Sequence, residues 1–311
     1  MVNSNPKATA QSSEYHIPVL LRESVEALRI KPDGVYVDCT FGGGGHSTAI
    51  LKALGPAGKL IAFDQDADAA QNLPEDNRVI FVPQNFRYLQ RFLKLHKYPK
   101  VDGILADLGV SSHQFDEPQR GFSIRFDAPL DMRMDQRRDL TAADILEQSD
   151  EKRLHKMFEQ YGEVSNSKTL AKAIVALQGT GRLKTIGAFK EAIAPLVKGN
   201  PHKYFAQVFQ ALRIEVNEEL PALHEWLEQL PECLKTGGRV AVITFHSLED
   251  RAVKNFFKSG SLKEQASDPL FGQKPLKPLE IITKKPILPS ETEIKTNPRS
   301  RSAKLRVAEK L

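Results

Sequence analysis

The chain has 311 residues, of which 41% are hydrophobic and 27% are charged. This length and balance indicate one large globular domain with an insertion or two modest domains, and they exclude a disordered or fibrous protein. The two cysteines, Cys39 and Cys233, give no indication of a disulfide framework or a thiolate zinc site. Because no apolar run reaches the roughly 18 residues of a membrane span, we expect a cytoplasmic protein without membrane contact, with a flexible tail at 1–15.

The first third of the chain alternates between predicted strands and helices. Strands are expected at 35–38, 59–64, 79–82 and 101–107, with helices at 46–54 and 86–95. This alternation indicates a parallel sheet that carries helices on both faces and right-handed crossovers. Ligands of such sheets bind at the carboxyl ends of the strands.

The alternation stops after Asp107. Residues 109–139 are rich in Ser, Arg, Asp and Pro, and residues 141–197 have a mainly helical pattern. Another helix with apolar residues at 220–230, a pair of glycines and a strand at 239–245 then follow, and short strands at 280–283 and 303–308 are typical of a closing antiparallel hairpin. We therefore expect a discontinuous sheet domain, 16–113 and 205–311, interrupted by a helical insertion at 114–204.

Four glycines follow the first predicted strand, between Asp38 and His46. Glycines allow close approach of a ligand to the backbone, and the next helix offers free N–H groups at its start. The dinucleotide fingerprint lacks its third glycine here, since Ser47 takes that place, which favours S-adenosylmethionine over a pyrophosphate ligand. Asp64 lies 22 residues after Gly42, where a ribose-binding carboxylate is expected, although a helix cap is the alternative.

Asp107 ends the fourth predicted strand and begins the loop 108–114. A carboxylate there would lie beside the methyl group of the cofactor. The alternative is a turn-forming aspartate with no chemical role. The glycine loop after the first strand favours the site interpretation.

Basic residues concentrate near the C-terminus. The segment 284–310 has eight Lys or Arg against three Glu, which accounts for the whole formal charge of +5. Such a segment favours a polyanion such as RNA, with a solvated charged tail as the alternative. The five arginines at 120–138 have the same two possible roles, because four aspartates lie between Arg125 and Asp139 inclusive.

Several segments, in this order, are similar to one known family. They are His16 with residues 18–20, then 38–46, 107–112, 120–123, 129–134, 209–214, 217–220, 245–251, 297–299 and 301–306. On these segments the chain resembles the MraW or RsmH family, the bacterial methyltransferases of 16S rRNA that act on N4 of a cytidine in the decoding centre. The tract after Phe257 departs from the family pattern up to the final basic segment.

The resemblance implies a Rossmann-like class I S-adenosylmethionine-dependent methyltransferase sheet with an inserted helical domain that helps to hold RNA. The implied cofactor is S-adenosylmethionine, and the implied partner is 16S rRNA in the 30S subunit. The oligomeric state stays open, with a homodimer among the alternatives. The residues expected to bind the cofactor are Asp38, Gly42, Gly44, Gly45, His46, Asp64, Phe86, Asp107 and Gln114.

A cytosine amine is a weak nucleophile, so the reaction needs a hydrogen-bond acceptor and close positioning of a flipped-out base. We expect Asp107, or a backbone carbonyl of residues 108–112, to be that acceptor, with Ser111 and Ser112 shaping the pocket. Both cysteines are expected to be structural, which disfavours methylation at C5. The predicted RNA contacts are Arg120, Arg133, Arg299, Arg301 and Arg306.

Two other classes of protein share parts of this pattern. A nicotinamide-dependent oxidoreductase has the same sheet and strand-end Asp64, but the missing third glycine disfavours it. A non-catalytic RNA-binding protein would not bind S-adenosylmethionine. His246 is expected to be a packed or loop-orienting histidine, because no G-x-S-x-G elbow accompanies it, and no metal site is expected.

Overall fold

The computed structural model describes residues 18–262 and 277–311. The expected flexible tail at 1–15 and His16 therefore lie outside the described residues. Within them, one sheet contains seven strands: β1 Val35–Asp38, β2 Lys59–Phe63, β3 Val79–Val82, β4 Val101–Asp107, β5 Leu234–Thr244, β6 Leu279–Ile281 and β7 Lys304–Lys310.

The helices cover the sheet and build the insertion. Over the described ranges they are α1 Leu21–Leu28, α2 Gly45–Ala53, α3 Leu89–Leu95, α4 Ser112–Asp116, α5 Ala142–Gln148, α6 Glu151–Gln160, α7 Ser167–Leu177, α8 Ile186–Ile193, α9 Pro201–Asn217, α10 Glu219–Cys233, α11 Ser247–Ser259 and α12 Glu291–Thr296. None of these helices is both long and apolar enough to cross a membrane.

The strands lie in the order β3-β2-β1-β4-β5-β7-β6. The first five are parallel, and β7 pairs antiparallel with both β5 and β6. Val37 in β1 lies between Ile61 and Ile104 of the neighbouring strands, and all three are fully buried. The runs of β-branched residues are therefore central strands with both faces covered, which confirms the predicted Rossmann-like sheet.

Two details of the predicted sheet are corrected. The strand expected at 239–245 begins at Leu234. Gly237 and Gly238 lie inside β5, where its pairing with β4 shifts register between Val101 and Gly103. The expected hairpin is not a tight one, since α12 lies between β6 and β7 in the chain. β7 lies between β5 and β6 in the sheet and pairs antiparallel with β6, so the expected antiparallel pair is present although its connection is long.

The buried side chains form two large groups. The clusters on the sheet include Trp226 of α10 and Phe256 of α11. A separate cluster runs from Phe122 to Val216 and is built from α5, α6, α7, α8 and α9. The expected boundary at 204/205 lies inside α9, whose buried residues continue to Val216. The division into domains stays a prediction, and a boundary after α9 agrees better with this packing.

Candidate active site

A cavity of about 620 Å³ lies at the carboxyl ends of the parallel strands. It is centred on β1 and β4, between which the chain order of the strands reverses, and such crevices bind ligands in open α/β sheets. Its lining brings together residues that are far apart in the chain. Among them are Pro18, Thr40, Gly42, Gly43, Gly45, His46, Asp64, Phe86, Asp107, Ser111, Ser112, Gln114, Asn217, Glu219, Phe245, Glu249 and Arg299.

The loop between β1 and α2 requires glycine for two physical reasons. Gly42 and Gly44 have φ of +50° and +74°, which side chains disfavour. A Cβ on Gly45 would lie 2.1 Å from Cγ of Pro18, so any side chain there would clash. A Cβ on Gly43 would meet no atom within 4 Å. This part of the loop therefore presents bare backbone to the cavity.

Asp38 supports this loop from behind. Its side chain is 1% exposed, accepts hydrogen bonds from the Thr40 N–H and the Ser47 hydroxyl at 3.1 and 2.7 Å, and is absent from the cavity lining. Gly44 is likewise outside the lining. Of the residues expected to bind the cofactor, these two shape the loop and do not face the cavity.

Asp64 follows β2 and ties the second strand to the glycine loop. Its Oδ2 accepts a hydrogen bond from the Gly42 N–H at 2.7 Å, and its Oδ1 accepts one from the Asp66 N–H at 2.8 Å. Burial raises the pKa of Asp64 to about 6, against the opposing effect of these two hydrogen bonds. The carboxylate lines the cavity, as expected for a group that binds a ribose.

Asp107 is held at the end of β4, close to His46. The Asp107 N–H donates to the Thr40 hydroxyl at 2.7 Å, and Oδ2 lies 3.8 Å from Nδ1 of His46. Within the described chain, the buried Oδ1 has no hydrogen-bond partner. Burial is the main reason that the pKa of Asp107 lies well above its usual range. The negative charges of Asp38 and Glu249 raise this pKa further. This carboxyl is therefore a stronger base than an ordinary aspartate when it is ionised.

The remaining predicted site residues lie on the walls of the same cavity. Phe86 packs edge-on against Trp226, with ring centroids 5.7 Å apart. Ser111 caps α4, because its hydroxyl accepts from the Gln114 N–H. The Gln114 amide is occupied at both ends, by the Ser111 N–H at 3.1 Å and by Asp66 at 2.7 Å. Ser112 lines the cavity without such a role in capping.

The wall beyond Asp107 contains residues to which the sequence assigned no function. Glu219 begins α10, and Glu249 lies in the first turn of α11, which His246 caps as a loop-orienting residue. Potential ligand atoms of these three side chains lie within 4.8 Å of one another. The motifs that contain them were visible in the sequence, but only the fold shows that α10 and α11 meet here.

Two predicted RNA contacts are corrected. Arg120 is 4% exposed and contacts Asp66 and Asp68 at 2.8 and 3.0 Å. Arg306 is 8% exposed and its Nε lies 2.6 Å from Asp250. Both guanidinium groups are buried in intramolecular ion pairs, so neither is available to an RNA phosphate in this structure.

The other three predicted RNA contacts differ in accessibility. Arg133 forms a bidentate ion pair with Asp131. Arg299 lines the cavity, pairs with Asp116 and lies 5.5 Å from the ring centroid of Phe115. Arg301 is exposed. Of the five predicted RNA contacts, Arg299 and Arg301 are therefore the two that remain available: Arg299 lines the cavity and Arg301 is exposed, and both belong to the basic C-terminal segment.

The parallel sheet, the bare glycine loop and the strand-end carboxylates define a Rossmann-like methyltransferase whose cofactor is S-adenosylmethionine. A model of the MraW methylase family matches residues 13–311, and the chain belongs to that family. This assignment agrees with the resemblance found in the sequence and decides against the nicotinamide-dependent alternative.

Individual relatives match over nearly their whole length. A protein of Bacteroides thetaiotaomicron is 55% identical over 297 residues, which are 95% of this chain and 97% of the relative. One of Flavobacterium psychrophilum is 52% identical over 292 residues, 94% of this chain and 100% of the relative. Both are named ribosomal RNA small subunit methyltransferase H. Among solved structures, an rRNA methylase from Streptococcus thermophilus is 12% identical with a TM-score of 0.39, covering 94% of this chain and 93% of that one.

Proposed function

We propose that the protein transfers a methyl group from S-adenosylmethionine to the N4 amine of a cytidine in the decoding centre, at the P site, of 16S rRNA in the 30S subunit. The names of the relatives support small-subunit rRNA as the substrate. The single observation that supports an amine acceptor is Asp107, a carboxylate on the cavity wall whose Oδ1 has no partner among the described residues. The substrate also implies that the protein acts in the cytoplasm.

The cofactor half of the cavity fits a nucleoside without a pyrophosphate group. We assign the ribose hydroxyls to Asp64 and the adenine to the face of Phe86, with Gly42, Gly45 and His46 beside the rest of the cofactor. Gln114 and Asp38 contribute by holding the loops in place. When bound, S-adenosylmethionine supplies an electrophilic methyl group.

The residues of the chain position the amine and accept its proton. Asp107 accepts a hydrogen bond from one N4 hydrogen and then the proton itself, which its raised pKa favours. Ser111 and Ser112 shape the loop over which the base enters. Since the amine lone pair is delocalised into the ring, positioning contributes more than base strength.

RNA binding is assigned to the accessible basic residues. Arg299 and Arg301 lie in the C-terminal segment. Arg133, at the edge of the insertion, would bind a phosphate only in place of its ion pair with Asp131. We propose that the helical insertion and this segment hold the RNA on either side of the cavity mouth. A homodimer stays a prediction.

The proposal predicts the product of a defined assay. Purified protein, labelled S-adenosylmethionine and unmethylated 30S subunits should yield label in N4-methylcytidine after digestion of the rRNA. Asp107→Asn should lower the rate about 100-fold or more, because proton transfer by a positioned side chain contributes about that much. Cofactor binding and the thermal unfolding midpoint of this variant are the controls.

Three results would contradict parts of the proposal. Label in another nucleoside would refute the N4 assignment. Cofactor binding without any transfer would move the acceptor elsewhere, and absence of cofactor binding would favour a non-catalytic RNA-binding protein. Full turnover by folded Asp107→Asn would remove Asp107 from the mechanism.

A further inference from the structure

The order of the strands divides the cavity into two halves. Because β4 lies between β1 and β5, Asp107 stands between the glycine loop after β1 and the loop after β5. The glycine loop and Asp64 line the half over β1 and β2. The half over β5 is lined by Phe245, Glu219 and Glu249, none of which the cofactor assignment uses.

An aromatic ring forms one side of this second half. Phe245 directly follows β5, is only partly buried and lines the cavity. Its ring lies against Gly109, where a Cβ would be 3.6 Å from Cδ2 of Phe245. Bases removed from a helical stack are commonly held against aromatic side chains. The ring therefore offers a stacking surface next to Asp107.

Two charged carboxylates form the other side. Arg213 donates to both oxygens of Glu219 at 2.8 and 2.9 Å, and the side chain of Glu219 is only 10% exposed. Glu249 is 2% exposed, and its Oε2 accepts a hydrogen bond from the Phe245 N–H at 2.8 Å. Ionised carboxylates accept hydrogen bonds and donate none. This wall therefore favours a ligand that presents hydrogens.

His246 lies beside the two carboxylates in this cluster. The Glu249 N–H donates to Nδ1 of His246 at 3.4 Å. Nε2 lies 3.1 Å from Oε1 of Glu249 but makes no hydrogen bond with the described residues. Arg213 already supplies the positive charge that Glu219 requires.

We propose that Phe245, Glu219 and Glu249 form the pocket for the target base and that the two carboxylates select its amine. This inference rests on the proposed function, because it names the part of the site that recognises the cytosine. Cytosine presents an amine at the position where uracil presents a carbonyl oxygen. The carboxylates accept the N4 hydrogen that Asp107 does not take. They would repel the carbonyl oxygen of uracil, so a uridine would meet an unfavourable contact in this pocket.

The test compares two neighbouring glutamates that are both paired with arginine. Glu219→Gln changes the pocket, whereas Glu218→Gln changes a carboxylate outside the cavity lining that pairs with Arg87 and Arg138. Single-turnover methyl transfer to unmethylated 30S subunits should fall about tenfold to a hundredfold in Glu219→Gln, the effect of losing one charge-assisted hydrogen bond. Its Kd for S-adenosylmethionine and its KM for 30S subunits should stay at the wild-type values, and Glu218→Gln should transfer at the wild-type rate.

The outcomes separate this inference from the proposed function. Wild-type transfer rates in folded Glu219→Gln would refute the pocket while leaving the function intact. Absence of cytidine labelling by the wild-type protein would refute the proposed function itself. If Glu219→Gln does not fold, Phe245→Leu serves as the second variant, and it should also lose turnover while keeping the cofactor Kd. Full turnover by folded Phe245→Leu would overturn the pocket.

Discussion

Three aspartates end or directly follow parallel strands, but their side chains have different roles. Asp38 is almost fully buried and is used by the loop that follows it. Asp64 and Asp107 line the cavity, and burial raises the pKa of both. Sequence position identified all three as candidates, since each ends or directly follows a strand. Their division into one supporting and two cavity-facing groups depends on atoms that lie elsewhere in the chain.

The pKa of Asp64 predicts how cofactor binding depends on pH. Ribose hydroxyls donate to an ionised carboxylate, so binding is strongest above the pKa of about 6 and weakens as pH falls through it. The Kd for S-adenosylmethionine should rise about tenfold for each pH unit below that value, as isothermal titration calorimetry would measure. In Asp64→Asn the Kd should be higher and should lose this dependence. An unchanged dependence in that variant would assign the proton to another group, such as the buried His46.

At the scale of elements, the segment between α4 and α5 connects the insertion to the cofactor side of the sheet. The Arg120 guanidinium contacts Asp66 and Asp68 after β2 and donates to the carbonyl oxygens of Arg133 and Met134. Buried arginine side chains need such partners, because an unpaired charge in the interior is costly. Arg120 therefore joins two parts of the chain that the sequence treated as separate.

Removal of this connection should reduce stability substantially. Arg120→Met leaves Asp66 without its buried partner, and we expect a loss of about 3–5 kcal/mol in the free energy of unfolding. Arg137→Met removes an ion pair with Asp135 whose arginine is 51% exposed, and should cost at most about 1 kcal/mol. Urea unfolding of both variants measures the difference. Equal stability of the two proteins would contradict the structural role of Arg120.

At the scale of the whole molecule, the cavity at the strand ends lies between a hydrophobic core of the sheet and the core of the insertion. One core supports the sheet, and the other holds α5 to α9 together up to Val216. The basic C-terminal segment returns to the sheet as β7, and Arg299 reaches the cavity from the turn before it. The positive charge that we expected in a C-terminal tail therefore lies partly in strand β7 and partly near the cavity.

This placement predicts which charge contributes to RNA binding. Arg301→Glu should raise the Kd for 16S rRNA. The slope of log Kd against the logarithm of the salt concentration should become shallower by about one to two, because each phosphate contact releases about one counterion. Arg91→Glu, an equal charge change on the exposed side of α3, should leave that slope unchanged. Filter binding between low and moderate salt measures both slopes. Identical slopes for the two variants would make the C-terminal segment purely structural.

The sequence by itself determined the order of strands and helices in the first third, the glycine loop and the strand-end carboxylates. These features are local: hydrophobic periodicity and glycine conformation depend on neighbours within a few residues. Details within an element were less predictable. The helix expected at 86–95 opens with a 3-10 turn, and β5 begins five residues early, because pairing with β4 extends the strand past its glycines.

Only the tertiary structure decided which polar residues meet. Arg120 and Arg306 were equal to Arg301 as basic residues in the sequence, yet burial beside Asp66 and Asp250 makes them structural. Likewise, Glu219 and Glu249 belong to helices separated in the chain, and they share a wall because both helices pack at the carboxyl end of β5. Charge and spacing along the chain cannot specify such pairs, since an ion pair depends on distance in space, which the packing of the sheet and its helices sets.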